Sequence, residues 1–473
     1  MQRQTKIVAT LGPATDRPGV IEALVRAGVD MVRLNFSHGS SADHAKRAAA
    51  VRQAAAAQGR DVAILADLQG PKIRIAGFSK GPIQLQPRDP FTLDAGLPHD
   101  AGTGEQVGLT YVDLPRDVKA GDTLLLNDGL IVMDVKSVDG PRIRCEVHIG
   151  GELSDHKGIN KLGGGLSAPA LTDKDREDLR HAAAIDVDYL AVSFPRTAAD
   201  IEQARALLSA AGSPAHVCAK IERAEALDHL EDIVRASDAV MVARGDLGVE
   251  IGDAELPGVQ KRIISVSREM NRLVVTATQM MESMVHNPIP TRAEVLDVAN
   301  AVMDGTDAVM LSAESAVGAY PVKAVEAMAR VCIAAERQQS TERSRALMET
   351  HFARTDEAIA MSCMYTARHM HASAILAFTE SGGTALWMSR QISNIPIYAL
   401  TRFERTRRRM ALCRGVYPVD YDAHKGQQVP LVLDALEHLR NRGQLKSGDR
   451  IIVTHGDAAQ PGGTNTMKIL TVP

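Results

Sequence analysis

The sequence predicts an α/β protein: a (β/α)8 TIM barrel with an inserted all-β domain and a C-terminal α/β domain. Three observations predict it. Eight short apolar, β-branched runs alternate with Ala/Leu/Glu/Arg-rich stretches, the pattern of strands buried on both faces and paired in parallel. Polar residues of shared phase follow nearly every run, as at the C-terminal mouth of such a barrel. The texture then changes between the third and fourth runs, and again toward the C-terminus.

In chain order, residues 1–70 form the first part of the barrel, with runs at Lys6–Thr10, Met31–Phe36 and Val62–Asp67. Residues 71–166 read as the insertion. Turn signals at Lys80-Gly81-Pro82, Asn127-Asp128-Gly129 and Asp139-Gly140-Pro141 separate short alternating segments such as Leu124–Asn127 and Ile143–His148. Gly163-Gly164-Gly165 suits a hinge and a plain connector equally. The barrel resumes over 167–340 with Tyr189–Phe194, His216–Ile221, Ala239–Ala243, Leu273–Thr278 and Ala308–Ser312. In the C-terminal part, 341–473, a polar stretch from Gln338 to Thr355 reads as a helical link. Ala358–Met370 reads as a helix, and Ala374–Phe378, Ile397–Leu400, Arg450–Val453 and Lys468–Val472 as strands of an open sheet.

Composition excludes several classes. With 45% hydrophobic and 24% charged residues the chain is not a disordered one. A net charge of −4 and 3% aromatic residues argue against a nucleic-acid or anionic-membrane surface. No run reaches the roughly 18 apolar residues of a membrane span, and the polar start lacks a signal-peptide core. Cys145, Cys218, Cys332, Cys363 and Cys413 lie far apart, which leaves no disulfide framework or Cys-type zinc site. A cytoplasmic protein is expected.

The chemistry-capable residues after the runs are Arg33, Asn35 and Ser37; Asp67; Lys220 and Glu222; Arg244 and Asp246; Thr278 and Gln279; Ser312 and Glu314. Residues two apart on a strand face the same side, so Lys220 and Glu222 point into one mouth. Glu222 and Asp246 then supply two carboxylates, and Mg²⁺ is typically held by one or two carboxylates with substrate oxygens and water. The same triplet also suits a structural Lys–Glu pair. Arg33 and Arg74 suit bidentate phosphate binding, or simple solvation. The hydroxyls of Thr278 and Ser312 suit a proton relay or a carboxylate contact, or a bond to a neighbouring backbone group. The chain has no GxxxxGK[ST] loop, no GxSxG elbow and no HExxH spacing.

Several longer motifs, TKIVATLGPATD at the start, VRLNFSHG (Val32–Gly39), KIERAEAL (Lys220–Leu227), MVARGDLGVEI (Met241–Ile251), TATQMMESM (Thr276–Met284), the stretch Pro290–Pro321 and TNTMKILTV (Thr464–Val472), resemble pyruvate kinase. The resemblance runs in order from residue 5 to the C-terminus. It implies phosphoryl transfer from phosphoenolpyruvate to ADP, giving pyruvate and ATP, with Mg²⁺ or Mn²⁺ as cofactor. It implies that Arg33 holds phosphate, that Asn35, His38, Arg74 and Lys157 serve the nucleotide, and that Lys157 belongs to a closing lid. Glu222 and Asp246 would hold Mg²⁺, and Lys220 would stabilise charge on the phosphoryl oxygens and the enolate. Backbone at Gly245 and Asp246 and the Thr278 hydroxyl would fix the carboxylate, while Thr278 and Ser312 would serve a proton relay.

The resemblance also implies a monovalent-cation site at Asn35, Ser37, Asp67 and the Leu68 carbonyl. Members that need K⁺ carry glutamate where this chain has Lys72, so DLQGPKIRI resembles the K⁺-independent branch. A fixed ammonium beside Asp67 would make the ion redundant. The C-terminal unit resembles the family's allosteric domain, with an anion site at Thr379, Ser381, Gly382 and Thr384. Arg402, Arg405, Arg407, Arg408 and Arg409 would add charge there, or form a solvated helix face. Glu380 would repel a second phosphate, so AMP or a sugar monophosphate is the expected effector. A homotetramer rests on the resemblance alone. Rival readings are a barrel lyase or aldolase using the same Mg²⁺ and lysine, and a catalytically silent phosphosugar or nucleotide sensor.

Overall fold

The structure is a computed structural model describing residues 2–338, 352–423, 431–456 and 462–473. Eight strands form the barrel: β1 (Lys6–Leu11), β2 (Met31–Asn35), β3 (Ala63–Asp67), β4 (Tyr189–Val192), β5 (His216–Ile221), β6 (Ala239–Ala243), β7 (Leu273–Ala277) and β8 (Ala308–Leu311). Each pairs in parallel with its neighbours in this series, and β1 with β8 closes the ring. Both strand faces are covered, which is why the runs are apolar throughout rather than alternating. One set of side chains, including Ile7, Val32, Ile64 and Val240, packs outward under the helices. The other, including Val8, Met31, Leu65, Tyr189 and Met241, fills the interior. Followed to the strand ends, the inward parity delivers Arg33, Asn35, Asp67, Ser193, Lys220 and Glu222 to the mouth.

The insertion between β3 and β4 builds a six-stranded sheet, Thr123–Leu126, Ile131–Asp139 and Arg142–Ile149 at its centre, around its own core of Phe91, Leu93, Met133 and Ile143. One helical turn, Leu114–Asp117, departs from the expected all-β texture. Its two arms leave and return side by side. Ile159 N–H donates to Ile73 O and Ile75 N–H to Lys157 O, each at 2.9 Å.

The C-terminal unit has a five-stranded sheet ordered Val416–Asp420, Ile397–Thr401, Ala374–Phe378, Arg450–Gly456, Thr464–Thr471, the last strand antiparallel. Pro418 hides the first of these from a sequence reading, because proline removes a ladder donor; at a sheet edge it is tolerated. The expected helix is present as Thr355–His369. The helical link expected between Gln338 and Thr355 lies for the most part outside the described residues.

This unit covers the floor of the barrel. Cys218, Tyr189 and Met241 share one buried cluster with Cys363, Met388, Met410 and Leu412, and the Tyr189 hydroxyl donates to Arg409 O at 3.0 Å. The arginine cluster expected to face an effector or solvent is used here instead. Arg408 bonds Asp188 and Asp186 of the barrel, each at 2.8 Å, Arg407 reaches Asp61 at 3.2 Å, and Arg405 reaches Asp186 at 2.7 Å. Arg402 pairs within the unit, with Asp422 at 3.9 Å. Sequence spacing does not reveal the barrel partners of Arg408, because Asp188 and Asp186 lie more than 200 residues away.

Candidate active site

The mouth is organised around Lys220, the last residue of β5 with inward parity. Its ammonium lies 2.9 Å from Glu222 Oε1 and 3.3 Å from Asp67 Oδ1, and donates to Ser193 Oγ at 2.7 Å. Burial would drive it toward the neutral amine, yet the Asp67 and Glu222 carboxylates hold it above its ordinary range. Asp67 is itself buried, which would raise its pKa; Lys220 and Arg33 outweigh that and hold it low. Arg33 Nε meets Asp67 Oδ2 at 2.6 Å, and its Nη1 donates to Thr10 Oγ1 at 3.3 Å. Glu222 Oε2 accepts from Phe194 N–H at 2.9 Å. Burial pushes Glu222 up; Lys220 opposes this and the nearby Asp246 carboxylate adds to it.

Asp246 sits in the first turn of the helix Arg244–Ile251 that follows β6. Lys72, expected beside Asp67, reaches Asp246 Oδ1 instead, at 3.2 Å; Asp67 is already held by Arg33 and Lys220. Thr278 falls on the outward parity of β7, and a backbone φ of 69° turns it round, a conformation a β-branched residue adopts only under constraint. Its hydroxyl accepts from Gly245 N–H at 2.9 Å and donates to Ala277 O at 2.6 Å. Arg244 supplies the constraint, donating to Thr278 O at 2.6 Å and Ala277 O at 3.1 Å while paired with Asp297 at 2.6 Å. Ser312 Oγ is buried without a hydrogen-bond partner among the described residues, and Ser312 N–H donates to Glu314 Oε2 at 2.6 Å. No hydrogen bond joins Ser312 to Thr278.

The remaining expected residues fall in three places. Asn35 Oδ1 caps the turn by accepting from Ser37 N–H at 3.1 Å, and its carbonyl accepts from His38 N–H at 3.2 Å. The Leu68 carbonyl accepts from Ser193 Oγ at 2.7 Å. On the arms of the insertion, Arg74 bridges to Gly158 and donates to His156 O at 2.8 Å, which puts it beside Lys157. In the C-terminal unit, Thr379 Oγ1 accepts from Gly382 N–H at 2.9 Å, and Thr384 Oγ1 lies 2.7 Å from Thr464 Oγ1. Ser381 is exposed. Ser193 was missed by motif reading. Its signal was parity: it extends β4 in the phase that brings Lys220 and Arg33 inward.

A parallel barrel whose mouth concentrates lysine, arginine and paired carboxylates, beside a β insertion that lands on it by two arms, has the layout of an enzyme acting on anionic substrates. Comparison with known proteins makes this specific. The family description "Pyruvate kinase, barrel domain" matches residues 2–325, and "Pyruvate kinase, alpha/beta domain" matches 357–470. Pyruvate kinase II of Salmonella typhimurium is 55% identical over 475 residues, covering 99% of each chain. Pyruvate kinase of Haemophilus influenzae is 54% identical over 96% of each. The crystal structure of a pyruvate kinase from Cryptosporidium parvum superposes with a TM-score of 0.94 at 34% identity, over 100% of this chain and 96% of that one. The chain belongs to the pyruvate kinase family. It is a phosphotransferase of the last glycolytic step, which moves a phosphoryl group from phosphoenolpyruvate to ADP, and the family generally uses Mg²⁺.

Proposed function

We propose the following division of labour for that reaction. The observation that carries it is the buried Lys220 ammonium between Asp67 and Glu222. Held charged, it is no proton donor near neutral pH. It supplies a fixed positive field to the phosphoryl oxygens and to the enolate oxygen as the P–O bond breaks. Arg33, oriented by Asp67, grips phosphate. Asn35, His38, Arg74 and Lys157 serve the nucleotide, and closure of the insertion excludes water that would otherwise take the phosphoryl group. The Thr278 hydroxyl and the backbone at Gly245 and Asp246 receive the substrate carboxylate. Thr278 and Ser312 relay a proton toward the enolate carbon, a reading supported by the buried, unpartnered Ser312 Oγ.

Glu222 and Asp246 suit Mg²⁺ or Mn²⁺. They are two hard oxygen donors near enough for one to raise the other's pKa, and lysines rest on both. Bound there, the cation would neutralise charge on the transferred group.

Activity without K⁺ is part of the same proposal. Lys72 brings an ammonium to the mouth on the Asp246 side, while Asn35, Ser37, Asp67 and the Leu68 carbonyl keep residual capacity for a monovalent ion. The effector is proposed to be AMP or a sugar monophosphate at Thr379, Ser381, Gly382 and Thr384, the assembly a homotetramer, and the compartment the cytoplasm. Among the described residues no helix is long and apolar enough to cross a membrane.

The test is pyruvate formation from phosphoenolpyruvate and ADP with Mg²⁺, first in buffer free of K⁺ and NH₄⁺, then with KCl. High activity in both is expected. Activity only with KCl would remove the Lys72 argument, and none in either would remove the division of labour.

A further inference from the structure

The Glu250 carboxylate has no part in the chemistry above, yet it is buried within one helical turn of Asp246. It lies 3% exposed on the helix Arg244–Ile251. Oε2 accepts from Ala224 N–H at 2.9 Å, two residues past Glu222. Oε1 accepts from Asn160 Nδ2 at 3.4 Å, on the strand Ile159–Lys161 that brings the insertion back to the barrel. The Glu250 carbonyl accepts from Gly163 N–H at 2.8 Å, at the start of the glycine run. A single residue therefore joins the segment bearing Glu222, the helix bearing Asp246 and the returning arm.

The surroundings make this joint directional. Gly163, Gly164 and Gly165 all have positive φ, and Gly165 N–H donates to Glu225, the neighbour of Ala224. A Cβ built at Gly164 would collide with the Glu225 carboxylate, so the arm lies tightly against this loop. The outgoing arm lands on the same helix through Lys72 and Asp246. Both arms thus grip one short helix, one at its first turn and one at its last.

We propose that Glu250 is a positioning residue for the phosphoryl transfer. It fixes the separation of Glu222 and Asp246 and ties that separation to the seating of the insertion. The inference rests on the proposed metal-binding role of those two carboxylates.

The test uses the full chain and Mn²⁺ alone, with free Mn²⁺ read by electron paramagnetic resonance, alongside KM for ADP and kcat. Glu250→Ala is expected to weaken Mn²⁺ binding about tenfold, the scale seen when a partner behind a metal ligand is removed, and to raise KM for ADP. Glu250→Gln is expected to recover most of both losses, because an amide still accepts from Ala224 N–H and Asn160 can turn its own amide to match. Asn160→Ala cuts only the arm-side bond, and should raise KM for ADP while leaving Mn²⁺ binding intact. Unchanged Mn²⁺ binding and KM in Glu250→Ala, with only a lowered Tm, would overturn the inference. Mn²⁺ binding that survives Glu222→Ala would overturn the metal assignment first, and the inference with it.

Discussion

Lys220 shows how much one side chain's surroundings decide about its chemistry. Enclosed by Asp67 and Glu222, it keeps its proton above the ordinary lysine range, so its contribution is electrostatic. Lys220→Met should lower kcat by about 10²–10³-fold or more, as for other fixed donors to developing charge, with Mn²⁺ binding largely preserved. Retained turnover in that variant would remove the assignment. Glu250 titrates differently. Burial, with Glu225 adding and the Ala224 N–H, Arg223 and Asn160 opposing, pushes its carboxyl up to about 7. The folded state then keeps a proton that the unfolded chain releases near 4.5, so stability on this account falls as pH rises from about 4.5 to 7. Glu250→Gln lacks that titration. Its unfolding free energy should match the parent's near pH 4.5 and exceed it progressively toward pH 7, by at most about 3 kcal/mol, read as a Tm difference that grows with pH; a constant offset across the range would count against the shift.

At the scale of elements, the barrel strands were legible because burial on both faces writes itself as an unbroken apolar run. Lys220 and Glu222 were legible at the mouth because strand parity is strict. What escaped reading was of two kinds. Pro418 disguises an edge strand, and Glu250 and Glu225 look in sequence like ordinary helix or loop charges. Their partners are brought near only by the fold. In the glycine run, φ is 73° at Gly164, and the Glu225 carboxylate occupies the space a side chain would need. Gly164→Ala should therefore unseat the returning arm. About 1–2 kcal/mol of strain at such a position is expected to appear as a raised KM for ADP and as faster proteolysis at 163–165. Cleavage and kinetics like those of the parent would show that the arm does not need this conformation.

At the scale of the molecule, the barrel and the C-terminal unit are joined by buried charge as well as by apolar contact. Arg390 donates to Asp307 at 3.0 Å and Arg408 to Asp188 at 2.8 Å, and both aspartates are fully buried. Removing one member leaves an uncompensated buried charge, so Arg390→Met should cost about 3–5 kcal/mol, read as a lower Tm by calorimetry. The parent should melt as one transition across barrel and C-terminal unit. Two separated transitions, with Arg390→Met shifting only one, would show that the two parts unfold independently.

The shared interior beneath Tyr189 and Met241 also bears on inheritance. A segment exchanged by recombination with a relative, from residue 352 onward, would bring foreign side chains into the layer that plugs the barrel floor. Hybrids of that kind would fold only if matching replacements travelled with them on both sides of the boundary. The exposed loops beyond the open sheet carry no such obligation. Lineages are therefore free to alter the far end of the molecule much faster than they can alter how it is joined to the barrel.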